Sequence, residues 1–247
     1  MSKPRVAFFD FTGCEGCQLD VLNLEAEELL PLLNAVDVVT FREVMTGASD
    51  EYDVAFVEGS ISREAEVPRL KHIRERANVL VAVGACATSG GVNGLKNGYP
   101  TSEALRLVYG QDAGNYNTAR VRPLSDFVTV DYNLRGCPIS TSEFLGLVKA
   151  LLLGRRPDCP GYPVCVECRL VHNVCVFERR QTCLGPVTRA GCNAICISSG
   201  QHCRGCRGLV DDANLESERD ILKKYGLTPG RIADSFSIFN SGVGVRP

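Results

Sequence analysis

Tryptophan is absent from this 247-residue chain, and methionine occurs only twice. No uninterrupted apolar run approaches the roughly 20 residues of a membrane-spanning helix, so no membrane span is expected. The opening "MSKPRVAFFDF" lacks the charged start, apolar core and small-residue cleavage site of a secretory signal. A cytoplasmic location follows as the expectation. Positive charge is in short supply too: 27 Lys and Arg against 29 Asp and Glu leave a formal net charge of −2, with no dense basic block. A nucleic-acid-binding surface needs a basic stripe, and none is written here.

Cysteine is plentiful, with thirteen copies, and the dearth of Trp and Met shows that no general compositional bias explains it. A chain of cytosolic character with many cysteines points to metal or redox chemistry rather than disulfides. The odd count also suits a pure disulfide framework poorly. Otherwise the composition is that of an ordinary globular protein, 45% hydrophobic and 23% charged. The length suffices for one large domain, or for one domain with a smaller appendage.

Residues 1–154 alternate strand-like and helix-like patterns. "RVAFFDF", "DVVTF", "YDVAFVEG", "NVLVAVGACA" and "FVTVDYN" read as strands. Between and after them, "CQLDVLNLEAEELLPLLN", "REAEVPRLKHIRERA" and "STSEFLGLVKALLLG" carry helical spacing, the last with Ser/Thr at its start and Gly154 at its end. Such alternation predicts a parallel, doubly wound α/β sheet. Beyond Gly154, "RRPDCPGYP" forms a Pro/Gly-rich joint into a second, smaller unit over 155–247. From Pro163 to Gly208, 46 residues show no periodicity worth assigning, yet they hold eight cysteines. Bound metal would have to organise that stretch. Two short helices are expected to close the chain, roughly Glu216–Tyr225 and Pro229–Phe239.

"CEGC" places Cys14 and Cys17 directly after the first strand. Cys86 ends the strand "NVLVAV", and Cys137 follows "FVTVDYN". All four therefore fall at the carboxyl ends of parallel strands, where open α/β sheets build their ligand sites. Alone, "CEGC" suits a redox pair, but a redox pair has no use for Cys86 and Cys137. Four-thiolate zinc stays open, although it usually comes as two knuckles and only one CxxC is present. A [4Fe–4S] cubane suits the set better. The tail cysteines (165, 168, 175, 183, 192, 196, 203 and 206) divide into two further fours and leave Cys159 over. Two zinc sites satisfy the same count. A non-catalytic, zinc-stapled interaction module and a free-standing ferredoxin-like carrier are the competing readings.

The sequence resembles the small, electron-transferring subunit of cytoplasmic [NiFe] hydrogenases, nearest the sulfhydrogenase or NAD(P)-linked type, with the F420-nonreducing type close by. The resemblance rests on "CEGCQ", "VEGSI", "VGACA", "GCP", "PVCVECRL", "CLGPVTRAGCNA" and "CRGCRG", in family order over residues 14 to 208. It implies a flavodoxin-like sheet domain and three [4Fe–4S] clusters: proximal on Cys14, Cys17, Cys86 and Cys137; distal on Cys165, Cys168, Cys175 and Cys183; medial on Cys192, Cys196, Cys203 and Cys206. It further implies that the nickel–iron centre lies in a partner large subunit, and that electrons pass to a flavin- or iron–sulfur-containing, diaphorase-type partner. Periplasmic relatives carry His where Cys165 stands and usually Pro where Cys196 stands, so this chain resembles an all-cysteine version. A quinone-linked respiratory subunit shares the α/β domain but has adjacent cysteines near its start and no eight-thiol tail.

Glu58, in "VEGSI", ends a strand on the same rim as Cys14 and Cys86. The bland expectation is a solvated carboxylate; the motif match suggests a role near the proximal set or the subunit interface. His72 is expected to be exposed, and His172 and His202 to form hydrogen bonds without coordinating. Arg169, Arg189, Arg204 and Arg207 flank ligand cysteines. Twelve thiolates on three 2+ cores would carry the chain to about −8, a charge that local cations should offset.

Overall fold

Side chains in the central strands point alternately to opposite faces, and both faces are covered. The computed structural model describes residues 3–241. Its sheet comprises β1 (Arg5–Asp10), β2 (Asp37–Phe41), β3 (Val54–Glu58), β4 (Val79–Val83) and β5 (Tyr132–Leu134), all parallel, in the order β2-β1-β3-β4-β5. This is the doubly wound arrangement expected from the sequence, with its topological switch at β1/β3. Val6, Phe8, Phe56, Val81 and Val83 face one core, while Ala7, Ala55, Val57, Leu80 and Ala82 face the other. On the first face Phe8 stacks on Phe41 and Phe56 at 4.4 and 5.0 Å between ring centroids. Each such buried ring contributes about 1.5–3 kcal/mol.

Helices α1 (Gly16–Leu22), α2 (Ala26–Ala35) and α6 (Thr141–Leu152) cover the Phe8 face. Helices α3 (Val67–Arg76) and α4 (Gly84–Ser89) cover the other, and α5 (Thr101–Tyr109) lies on an excursion between β4 and β5. The stretch expected as one helix from Cys17 to Asn34 is thus two. Asn23 caps α1, and Leu24 leaves the helical path to enter the core at 8% exposure. The strand expected over "FVTVDYN" shrinks to β5. Phe127, Val128 and Val130 still pack on the core, but ladder pairing begins only at Tyr132. Asp131 occupies the junction, accepting the Leu80 N–H at 2.7 Å on its carboxylate.

The tail is less irregular than the sequence suggests. Helix α7 (Val164–Leu170) and the short α8 (Ile195–Ser198) fall inside the stretch that showed no periodicity. Helices α9 (Leu215–Lys224) and α10 (Pro229–Asn240) lie within a residue or so of the expected closing pair. One small core of the tail is partly thiol: Val164, Val176, Ala194 and Ile197 with Cys183 and Cys203. A second joins Leu184 and Val187 to Leu222, Ile232 and Phe236 of α9 and α10. Helix α10 also reaches the sheet unit, where the Ser89 hydroxyl donates to the Phe239 carbonyl at 2.7 Å. Among the described residues no helix is long and apolar enough to cross a membrane.

Candidate metal centres

The chain leaves β1 into α1 through Cys14, and Cys17 lies in the first turn of α1, 6% exposed. The free N–H groups of that turn need acceptors. Glu58, at the end of β3, supplies them: its carboxylate accepts from the Cys17 N–H at 3.3 Å and the Gln18 N–H at 3.0 Å. Glu58 is only 3% exposed, so the solvated-carboxylate expectation fails. Burial raises its pKa, and the two N–H donors oppose the shift. Cys86 enters from α4 directly after β4, and Cys137 from the turn after β5. Gly84, at φ +80°, makes the approach close: a Cβ there would stand 2.6 Å from the Cys17 Sγ.

These four thiols and Glu58 feel one another. Burial, reinforced by Cys137, Cys14 and Glu58, pushes the Cys86 thiol up to about 12. Burial raises Cys17 further, with Glu58, Cys137 and Cys86 adding to it, while the Ile139 N–H donates to its sulfur. Burial also raises Cys137, aided by Cys14 and Glu58. The thiols of Cys17 and Cys86, buried and facing a carboxylate, do not ionise unaided at neutral pH. A cationic core between them reverses that balance. Asn93, which the sequence did not single out, extends its amide to the Cys86 Sγ at 3.7 Å and to the Thr12 carbonyl at 2.8 Å.

In the tail, α7 presents Cys165 and Cys168 one turn apart on one face. Burial pushes Cys165 up to about 12, and Cys183, Cys168 and Cys175 add to the shift. Cys183 accepts N–H bonds from Gly185 and Cys203, both at 3.4 Å. The other four tail cysteines (192, 196, 203 and 206), together with Cys137, line a cavity of about 420 Å3. Burial pushes Cys206 up to about 11, and the nearby backbone N–H of Cys137 opposes the shift. Glu167, between the two cysteines of "CVEC", is buried, accepts the Gly191 N–H at 2.8 Å and lies 4.0 Å from the Cys192 Sγ.

Cys159 stands apart. It lines a polar cavity of about 580 Å3 beside Arg135, Arg156, Arg189 and Arg207, with no other cysteine on its walls. Of the four arginines singled out beside tail cysteines, Arg169 and Arg204 are exposed. Arg189 pairs with Asp211 and Arg207 is buried against Glu143. His72 is exposed and lies 3.5 Å from Asp50, and His172 is exposed. His202 is half-buried, and burial with the neighbouring Arg204 lowers its pKa. All thirteen cysteines are free thiols. Among the described residues no three His, Cys, Asp or Glu side chains close tightly round one point as a single-ion site requires. Thiols in sets of four are the donor chemistry that an iron–sulfur core takes.

A doubly wound sheet with thiols gathered on its carboxyl rim and an annex rich in further thiols defines an electron-carrying protein of the thiolate-ligated class. The family model described as "NADH ubiquinone oxidoreductase, 20 Kd subunit" matches residues 14–151. Sulfhydrogenase 2 subunit delta of Pyrococcus furiosus is 37% identical over 222 residues, covering 89% of this chain and 92% of that one. A vhu-type F420-non-reducing hydrogenase subunit of Methanococcus voltae is 32% identical, covering 96% of this chain and 94% of that one. A chain from the structure of an NAD+-reducing [NiFe]-hydrogenase in the H2-reduced state superposes with a TM-score of 0.58 at 29% identity. That match covers 96% of the solved chain but 64% of this one, so about a third of this chain has no counterpart there. The protein belongs to the NADH ubiquinone oxidoreductase 20 Kd subunit family, and within it to the electron-transferring small subunits of [NiFe] hydrogenases. Such subunits bind iron–sulfur clusters and pair with a large subunit that carries the nickel–iron site.

Proposed function

We propose that the chain holds three [4Fe–4S] clusters and conducts electrons between the large subunit's nickel–iron centre and a flavin- or iron–sulfur-containing partner in the cytoplasm. The sheet unit, residues 1–154, holds the first on Cys14, Cys17, Cys86 and Cys137. The annex, residues 155–247, holds a distal cluster on Cys165, Cys168, Cys175 and Cys183 and a medial one on Cys192, Cys196, Cys203 and Cys206. When bound, such clusters supply reversible one-electron chemistry. The chain's own contribution is to position the thiols, bury them and furnish N–H donors to their sulfurs. The observation that carries the reading is the cavity on which Cys192, Cys196, Cys203 and Cys206 converge, with Cys137 of the sheet unit on its wall. That shared cavity, with Cys137 next to the 192–206 thiols, supports the relay reading.

The exposed thiols of Cys14 and Cys137 open the rim set toward the surface, which supports the large subunit docking there. The sulfhydrogenase and F420-non-reducing relatives cover the annex far better than the NAD+-reducing structure does, which favours their type for the tail. Metal analysis of the purified native complex is the test. Iron and acid-labile sulfide at about twelve each per chain, beyond what the partners hold, support three cubanes. Zinc in their place, or iron near four, refutes them.

A further inference from the structure

Arg207 follows Cys206 in sequence and is 2% exposed, yet it forms its ion pair with a residue of the sheet unit. Its Nε donates to the Ala190 carbonyl at 2.6 Å and its Nη1 to the Arg135 carbonyl at 2.6 Å. Nη1 and Nη2 then grip the Glu143 carboxylate at 2.9 and 2.7 Å, a two-pronged contact that lysine cannot copy. Glu143 lies in the first turn of α6, just beyond Cys137. One guanidinium therefore ties together the loops that carry Cys137 and Cys206. Room for it is built in: at Gly191, φ +115°, a Cβ would stand 2.1 Å from Nη2. A buried ion pair contributes little net stability compared with an apolar contact of the same volume. Fixing a geometry is the better account of it. What it fixes lies beside it: Cys137 and Cys206 line one cavity.

We propose that Arg207, braced by Glu143, is a positioning residue that holds Cys206 beside Cys137 on their shared cavity and so sets the coupling between the rim thiols and the annex thiols. The inference rests on the three-set reading above. One step further on, the two annex sets also touch, where the Cys203 N–H donates to the Cys183 sulfur at 3.4 Å. N–H bonds to ligand sulfurs orient them and tune the centre they hold.

The experiment is electron paramagnetic resonance and iron analysis of the fully reduced native complex and of complexes carrying Arg207→Lys or Glu143→Gln. The expected result is native iron content with loss of the magnetic interaction between the rim and annex signals, more complete in Arg207→Lys. Full iron with an unchanged interaction in Arg207→Lys would overturn the proposal. If Arg207→Lys sheds iron, Glu143→Gln decides: iron kept with a weakened interaction upholds the proposal. Iron lost from both variants overturns it, because the pair is then only a folding staple. Failure of the three-set reading shows separately in the native complex, as zinc or as iron near four, and takes this inference down with it.

Discussion

Glu218 is buried without a partner. It lies on α9 between Leu215 and Leu222, which pack against Leu184, Ile232 and Phe236, and it is 1% exposed. Neither carboxylate oxygen meets a hydrogen-bond donor among the described residues. Burial pushes its pKa from 4.5 up to about 7. Below pH 4.5 the carboxyl is protonated in both folded and unfolded chains and contributes no pH dependence. Between pH 4.5 and about 7 the unfolded chain loses the proton and the folded chain keeps it, so stability falls as pH rises. Above that window both forms are ionised and the folded state carries the whole penalty. A rise of 2.5 pH units corresponds to about 3 kcal/mol.

Glu218→Gln mimics the protonated carboxyl and removes the titration. Its stability relative to the native complex should therefore improve by about 2.5 kcal/mol between pH 5 and pH 8, read as roughly 5–10 °C in apparent Tm for a chain of this size. The assay is anaerobic thermal unfolding of both complexes, followed by far-ultraviolet circular dichroism at each pH. A difference in Tm that stays constant across that window would refute the reasoning, because the carboxyl would then be ionised or solvated in the folded protein throughout.

Cys137→Ala should lose about four irons while Cys159→Ala loses none, and equal loss in both would cancel the assignment of Cys159 as the spare thiol. Glu58→Gln removes a buried anion that faces Cys17, Cys86 and Cys137, so the potential of the rim cluster should rise in a redox titration. An unmoved potential would leave Glu58 as no more than the acceptor for the α1 amides. Cys196→Pro removes one thiolate from the first turn of α8. Loss of about one iron and a new three-iron resonance are expected, and an unchanged spectrum would show that Cys196 binds nothing.

The sheet unit was legible because strands buried on both faces read as unbroken apolar runs, as in "RVAFFD" and "NVLVAV". Its failures were local. Asn23 interrupts a helix whose apolar spacing continues past it, and periodicity does not register a cap. Asp131 uses its carboxylate to pair with Leu80 before the β5 ladder starts, which the pattern of "FVTVDYN" does not reveal. In the annex, α7 escaped notice because seven residues with two ligand cysteines offer no room for an amphipathic pattern. Glu218 escaped it for a related reason. On a helix reading "LESERDILKK" every acidic residue looks like part of the solvated face, and only the packing of α9 shows which one is not.

The candidate site was legible as residue types but not as neighbours. Spacing marked twelve cysteines, yet nothing in it says that the Cys203 N–H meets the Cys183 sulfur, or that Arg207 reaches Glu143 across 64 residues. Those contacts also show why the two units stand differently toward metal. The sheet unit has two large apolar cores, and of its four rim thiols only Cys17 is a member of either. The small core around α7 and α8 counts Cys183 and Cys203 among its own members, so ligand and core are the same residues there. Burial holds both of those thiols above their usual range, and ionising them without a cationic centre would place uncompensated charge inside that core. Loading the annex should therefore release protons and complete its packing in the same event, whereas at the rim only Cys17 joins the two roles.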